Sequence, residues 1–73
     1  MTEMNNNKPL FPNLEAETVK QGFNKSTLGE AIGRTPNQMS NRFNGEVEFS
    51  LDDAIRIAKV LNNTVEYLFK RNK

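Results

Sequence analysis

From Asn13 onward the apolar residues recur at three- and four-residue intervals rather than alternately, and no Val/Ile/Thr-rich run suggests a sheet. The spacing predicts five helices. The first runs from Asn13 to Gln21, turns Leu14 and a residue near Thr18 and Val19 inward, and ends at Gly22 before Phe23 enters the core. The second starts after Asn24, buries Leu28, Ala31 and Ile32, and stops at Gly33. Thr35 is placed to cap the third, Pro36 to Phe43, with proline in the first turn, Gln38 closing a capping box and Asn44-Gly45 ending it. Ser50 caps the fourth, whose first turn holds Asp52 and Asp53 against the helix dipole. Leu51, Ala54, Ile55, Ala58 and Leu61 share its inner face, with Ile57 at the border. Thr64 caps the fifth, which turns Val65, Leu68 and Phe69 inward and runs into the basic Lys70-Arg71-Asn72-Lys73.

The fold class that follows is all-α, one compact five-helix bundle over residues 13–73, preceded by a flexible N-terminal arm at residues 1–12. That arm carries Asn5-Asn6-Asn7, Lys8, and Leu10-Phe11 between Pro9 and Pro12, with no sustained period. It reads either as a bland polar arm or as one whose Lys8 and asparagines lie along a DNA groove. Within the bundle, only Gly33-Arg34-Thr35 separates the second helix from the third. Two short helices joined by so tight a turn form a helix-turn-helix, which points to DNA.

Helix three can be laid out at about 100° per residue. With Asn37 at zero, Asn41 falls about 40° away, Asn44 about 20° to the other side, Gln38 near 100°, Arg42 near 140°, and Met39 and Phe43 near 200° to 240°. One face is apolar and the other carries amides. A side-chain amide offers a donor beside an acceptor, the pattern that matches adenine N6 and N7 in the major groove. The plainer reading is a solvated helix face, but asparagine is a poor helix former, and Asn37, Asn41 and Asn44 on one side of so short a helix cost helical propensity.

Composition removes rival chemistry. Seventy-three residues make one small domain with a modest core. With no Cys and no His, disulfides, thiol nucleophiles, imidazole bases and the usual zinc ligands are all excluded, and no cofactor or metal is expected. Asp52-Asp53 is the only adjacent carboxylate pair and a helix N-terminus explains it; there is no phosphate-binding glycine loop, so catalysis is not expected. No apolar run approaches the roughly 20 residues of a membrane span, and the expectation is a soluble cytoplasmic protein. A net charge of +1 is no general nucleic-acid coat, so DNA binding must rest on charge distribution; residues 18–45 hold Lys20, Lys25, Arg34 and Arg42 against Glu30 alone.

Leu28-Gly29-Glu30-Ala31-Ile32-Gly33 followed by Met39-Ser40-Asn41-Arg42-Phe43-Asn44-Gly45 resembles the paired helices of the Cro/CI-type, or Xre, helix-turn-helix family. Phe49-Ser50-Leu51, Ile57-Ala58-Lys59-Val60-Leu61 and Tyr67-Leu68-Phe69 resemble its fourth and fifth helices, so the likeness covers about residues 13–69. It implies a lambda-repressor-like DNA-binding domain, a transcriptional regulator of phage or bacterial mobile-element type that binds operator DNA, usually as a homodimer. Carried residue by residue, it puts Pro36, Asn37 and Asn41 at base-facing positions with Gln38 and Ser40 beside them for bases or backbone. Lys25 stands where a helix start holds a phosphate, and Arg34, Thr35, Ser40, Arg42 and Asn44 are further phosphate candidates. Thr35 and Asn44 are equally suited to cap or turn roles, and Arg42 to a core edge along which its stem lies.

Three departures from the family pattern carry weight. Gly29 stands where the family favours alanine, both being small enough for helices two and three to approach. Pro36 offers only apolar contact, for instance to a thymine methyl. Glu46-Val47-Glu48 places two carboxylates where basic residues are common. The rival function is a protein-binding module, an antirepressor or antitoxin on the same fold. Val60 and Tyr67, outward by wheel position, are either ordinary exposed apolar residues or a homodimer contact.

Overall fold

The computed structural model describes residues 9–71, and the arm's asparagines and Lys8 lie outside that range. Five helices follow in order, α1 Pro12–Lys20, α2 Lys25–Ile32, α3 Pro36–Phe43, α4 Leu51–Leu61 and α5 Val65–Leu68, with no strand among the described residues. Each boundary has a local cause. The Asn24, Thr35 and Ser50 side chains accept a hydrogen bond from the N–H of the third residue after them, and the Thr27, Gln38 and Asp53 side chains accept one from the cap's own N–H, so α2, α3 and α4 all open on a reciprocal capping box. Gly33 ends α2 at φ +82°, in the left-handed region that lets the chain reverse toward α3 within three residues, 33–35.

α2 packs on α3 and α4, and α1 on α5. Leu14, Leu28, Met39, Ile57, Leu61 and Leu68 are fully enclosed between them, each stabilising the fold by roughly 1.5 to 3 kcal/mol through loss of water contact. Beside this aliphatic centre, Phe49 sits edge-on to Phe11, Phe43 and Phe69 at centroid distances of 5.8, 5.7 and 5.1 Å. The packed body therefore begins ahead of the Asn13 boundary. Phe11 is buried in the core, Leu10 lies against it, and the arm reading does not extend to these two residues.

The inner faces agree with the sequence reading on α1 and differ from it on α2 and α4. On α1 the inward residue of the Thr18–Val19 pair is Thr18, its hydroxyl donating to the Leu14 carbonyl at 2.7 Å, while Val19 is 74% exposed. Ala31 is exposed on α2. On α4, Leu51 is 73% and Ile55 39% exposed, while Ile57, placed at the border by the sequence, has no exposure at all. The buried face of α4 holds Asp53, Ala54, Ile57, Ala58 and Leu61, a stripe turned by about 70° from the apolar one. The cause is Asp53, which two arginines draw inside. Finally, Gly29 is not interchangeable with alanine here. A Cβ on it would stand 2.8 Å from the Arg34 carbonyl oxygen and 2.6 Å from Met39 Cγ, so the α2–α3 approach requires the missing side chain.

Candidate nucleic-acid interface

The Thr35 box fixes how α3 starts. Thr35 Oγ1 accepts from the Gln38 N–H at 3.1 Å and the Thr35 N–H donates to Gln38 Oε1 at 2.9 Å. The Gln38 amide is thus half committed: its oxygen holds the turn and its nitrogen remains to donate outward. Pro36, at the first helical position, is exposed, as is Asn37, whereas Ser40 and Asn41 are half-buried. Met39 and Phe43 enter the core from the opposite side of α3. Neither the Asn37 nor the Asn41 side chain bonds to any described residue, although no buried side-chain nitrogen or oxygen is left without a partner. Among the described residues both amides thus keep their hydrogen-bonding capacity for solvent or another hydrogen-bonding surface. The Asn41 backbone carbonyl is occupied, accepting from the Glu46 and Val47 amides at 2.9 and 3.3 Å as the chain leaves the helix. Gly45 makes that exit at φ +86°.

Lys25, at the start of α2, is exposed, with its Nζ 5.3 Å from the centroid of the Phe43 ring. That contact holds the ammonium beside the first turn of α2 without neutralising it. Between these two helices and α1 runs a cleft of about 580 Å³ bordered by Lys25, Pro36 and Ser40. Asn44 is exposed and takes the C-cap of α3, its N–H donating to the Ser40 carbonyl at 3.0 Å while the Gly45 N–H donates to that of Arg42 at 3.2 Å.

The two arginines are differently employed. Arg34 donates from Nε and Nη2 to the Asp53 carboxylate at 3.0 and 3.4 Å, and Arg42 from Nε at 3.1 Å. Arg42 Nη1 also bonds the Gln38 carbonyl at 3.1 Å, and only 12% of its side chain is exposed. Its guanidinium braces the fold from within, bonded to Asp53 and Gln38, whereas the core-edge reading had its stem against the core and its charged head in water. Arg34 is 30% exposed and keeps Nη1 free of described partners, so it alone can serve both Asp53 and an external anion.

Asp53 joins them while 1% exposed, and the Ser50 N–H supplies a further bond at 3.2 Å. Burial acts to raise its pKa, but the hydrogen bonds from Arg34, Ser50 and Arg42, with the Arg34 charge, outweigh burial and hold it below the ordinary carboxylate value. The sequence reading assigned Asp53 only to the helix dipole. Its position three residues after Ser50 was legible as a cap, whereas nothing in the linear pattern joined it to residues 34 and 42.

The electrostatic yield is modest. Arg34, Arg42 and Asp53 sum to a single positive charge, Lys20 pairs with Glu17 at 3.8 Å, and Glu46 and Glu48 are exposed next to the end of α3. Lys25 is thus the basic residue of the face with no carboxylate partner among the described residues. Val60, read from its wheel position as outward, is half-buried against the core, while Tyr67 is 46% exposed. Among the described residues no group of His, Cys, Asp and Glu could hold a metal ion, and no helix is long and apolar enough to cross a membrane. Against family models, curated proteins and solved structures, the chain finds no match.

Proposed function

We propose that the chain is a sequence-specific DNA-binding regulator of transcription, built as a lambda-repressor-like domain in which α2, the 33–35 turn and α3 form a helix-turn-helix. The observation that carries this reading is the pair of asparagine amides, Asn37 and Asn41, without a hydrogen-bond partner among the described residues, on the outer side of a helix whose inner side is fixed by Met39 and Phe43. In the major groove each amide can bond an adenine edge, donor to N7 and acceptor to N6. The Gln38 nitrogen adds a donor, and Pro36 an apolar contact of thymine-methyl size. Lys25, the first turn of α2 and the free edge of Arg34 supply phosphate contacts that set register without reading sequence. Because so few cations are unpaired, affinity rests on base contacts more than on charge, and sequence-independent binding should be weak.

Selection from a randomised duplex pool at moderate salt, followed by affinity measurement for the enriched sequence against a scramble, tests the reading. The expected result is an adenine-containing motif preferred by at least ~10³-fold over non-specific duplex. Retention of no sequence above background would remove DNA reading and leave the protein-binding role as the function of the same face.

A further inference from the structure

Gln38 differs from the asparagines on either side of it in that one end of its amide is already engaged. The Thr35 N–H donates to Gln38 Oε1 at 2.9 Å. A backbone N–H can be met only by an acceptor, so the capping box itself decides which way round this amide stands, with oxygen on the turn and nitrogen away from it. Nε2 bonds to no described residue, and no side-chain nitrogen or oxygen among them is buried without a partner, so its two hydrogens remain open to the outside. The main chain of Gln38 is tied as well. Its N–H donates to Thr35 Oγ1 and its carbonyl accepts from Arg42 Nη1, both at 3.1 Å, and Arg42 is held in turn by Asp53. Asn37 and Asn41 can each turn the amide over to suit the edge they meet, whereas Gln38 cannot do so without releasing the cap. On the helix Gln38 stands about 60° from Asn41, three residues before it and adjacent to it on the surface.

We infer, on the reading of α3 as a DNA-contacting helix, that Gln38 selects guanine, presenting donors alone instead of the donor and acceptor that a free glutamine offers. Adenine shows N7 as an acceptor beside the N6 amino donor, and a glutamine matches both only by giving its own oxygen to N6. Here that oxygen is committed to Thr35. Cytosine shows the N4 amino group, which would set donor against donor, and thymine shows one acceptor beside a methyl group. Guanine shows two acceptors, N7 and O6, for the two hydrogens of Nε2, and is the base that the donor-only side chains of Arg and Lys select. The cap therefore changes what this residue reads. Because the side chain is held before DNA arrives, its rotamer freedom is not a further cost of binding.

Selection of duplexes by the full-length chain and by two variants tests this. Wild type should enrich a motif with guanine at one fixed position. Gln38→Glu keeps an oxygen for the Thr35 N–H, since glutamate serves in a capping box as glutamine does, and turns an acceptor outward in place of the donors. That position alone should change from guanine to cytosine, at lower overall affinity and with an unchanged circular dichroism spectrum. Gln38→Ala should lose about tenfold or more of the discrimination there and leave the other positions as they were. Replacing the guanine by 7-deazaguanine, which lacks the N7 acceptor, should weaken wild type and leave Gln38→Ala unaffected. Adenine at that position in the wild-type motif, a Gln38→Glu motif identical to that of wild type, or a Gln38→Ala loss equal for selected and scrambled duplexes, as a phosphate contact would give, would each overturn the assignment while leaving DNA reading by α3 intact. Enrichment of no motif by wild type would remove DNA reading itself, and guanine selection with it.

Discussion

Helices α3 and α4 open in the same way and then use their polar residues in opposite ways. Each begins at a hydroxyl cap whose third residue bonds back, Gln38 in one and Asp53 in the other. On α3 the Asn37 and Asn41 amides bond to no described residue. On α4 the capping acid itself is drawn inside and takes bonds from Arg34, Arg42 and Ser50. An exposed amide costs little because water satisfies it, whereas a buried carboxylate is tolerable only when every lone pair is met. The difference separates two uses: α3 leaves the hydrogen-bonding capacity of Asn37 and Asn41 outside the described fold, and α4 spends that of Asp53 on holding α3 in place. Arg42 makes the link material, since it leaves the last turn of α3 for Asp53.

The largest effect should come from breaking that link. Asp53→Ala leaves the nearly buried Arg42 without its counter-charge, and loss of one partner from a buried pair costs about 3 to 5 kcal/mol. Urea unfolding followed by circular dichroism should show this as a lower midpoint, a large share of what a domain this small can have. The sign of the pH dependence follows from the depressed Asp53 pKa. A carboxylate whose folded pKa lies below its unfolded value near ~3.9 contributes stability that is fully present above that value and is lost as pH falls through the folded pKa. Wild type should therefore lose stability below about pH 4, and Asp53→Asn, less stable at neutral pH, should show a shallower acid limb. Equal acid slopes in the two proteins would show that Asp53 is not the titrating brace.

Next in size is the approach of α2 to α3. Alanine at residue 29 raises helix propensity by roughly 0.5 to 1 kcal/mol over glycine. Against this stands a Cβ within 2.8 Å of the Arg34 carbonyl oxygen, and Arg34 is the residue from which α3 is tied to α4. Met39 can swing aside, but the backbone carbonyl cannot without moving the turn, and overpacking of this kind costs about 1 to 3 kcal/mol. Gly29→Ala should therefore destabilise despite its better propensity. A thermal midpoint at or above wild type would mean that the two helices have room to spare.

How far the linear pattern reaches can be judged from these same residues. Caps, helix order and the Met39/Phe43 side of α3 were legible because they are set within a few positions by hydrogen-bond chemistry and a 3.6-residue period. The rotation of α4 was not, because periodicity ranks residues by hydropathy and places an aspartate outside. Only the meeting of residues 34, 42 and 53 in space reverses that ranking, and it also turns Leu51 and Ile55 to solvent. The same blindness hid Phe11, whose place beside Phe49 and Phe69 is decided 38 and more residues away. For the candidate site, Asn37 and Asn41 lie exposed and half-buried on the side of α3 that their spacing set opposite Met39 and Phe43. Arg42 is the residue whose sequence position near the amide side of α3 told least, because what employs it is on another helix.

The sharpest use of the comparison is the change expected to do least to the fold. Asn37 is exposed and Asn41 half-buried, both amides bond to no described residue, and neither side chain caps or braces anything. Replacement by alanine, a better helix former, should leave stability within ~0.5 kcal/mol of wild type or raise it slightly. The same substitutions should cost ~1 to 3 kcal/mol of affinity at the selected duplex and relax the preference at one base pair, because only there does the amide have a partner to lose. Stability and binding should then move independently on α3, whereas on α4 any loss of Asp53 moves both. If Asn37→Ala and Asn41→Ala bound selected and scrambled duplexes as wild type does, the unsatisfied amides would be a solvated surface and α3 would have no reading face. If they instead unfolded the chain, the division of labour between the two helices would be the error.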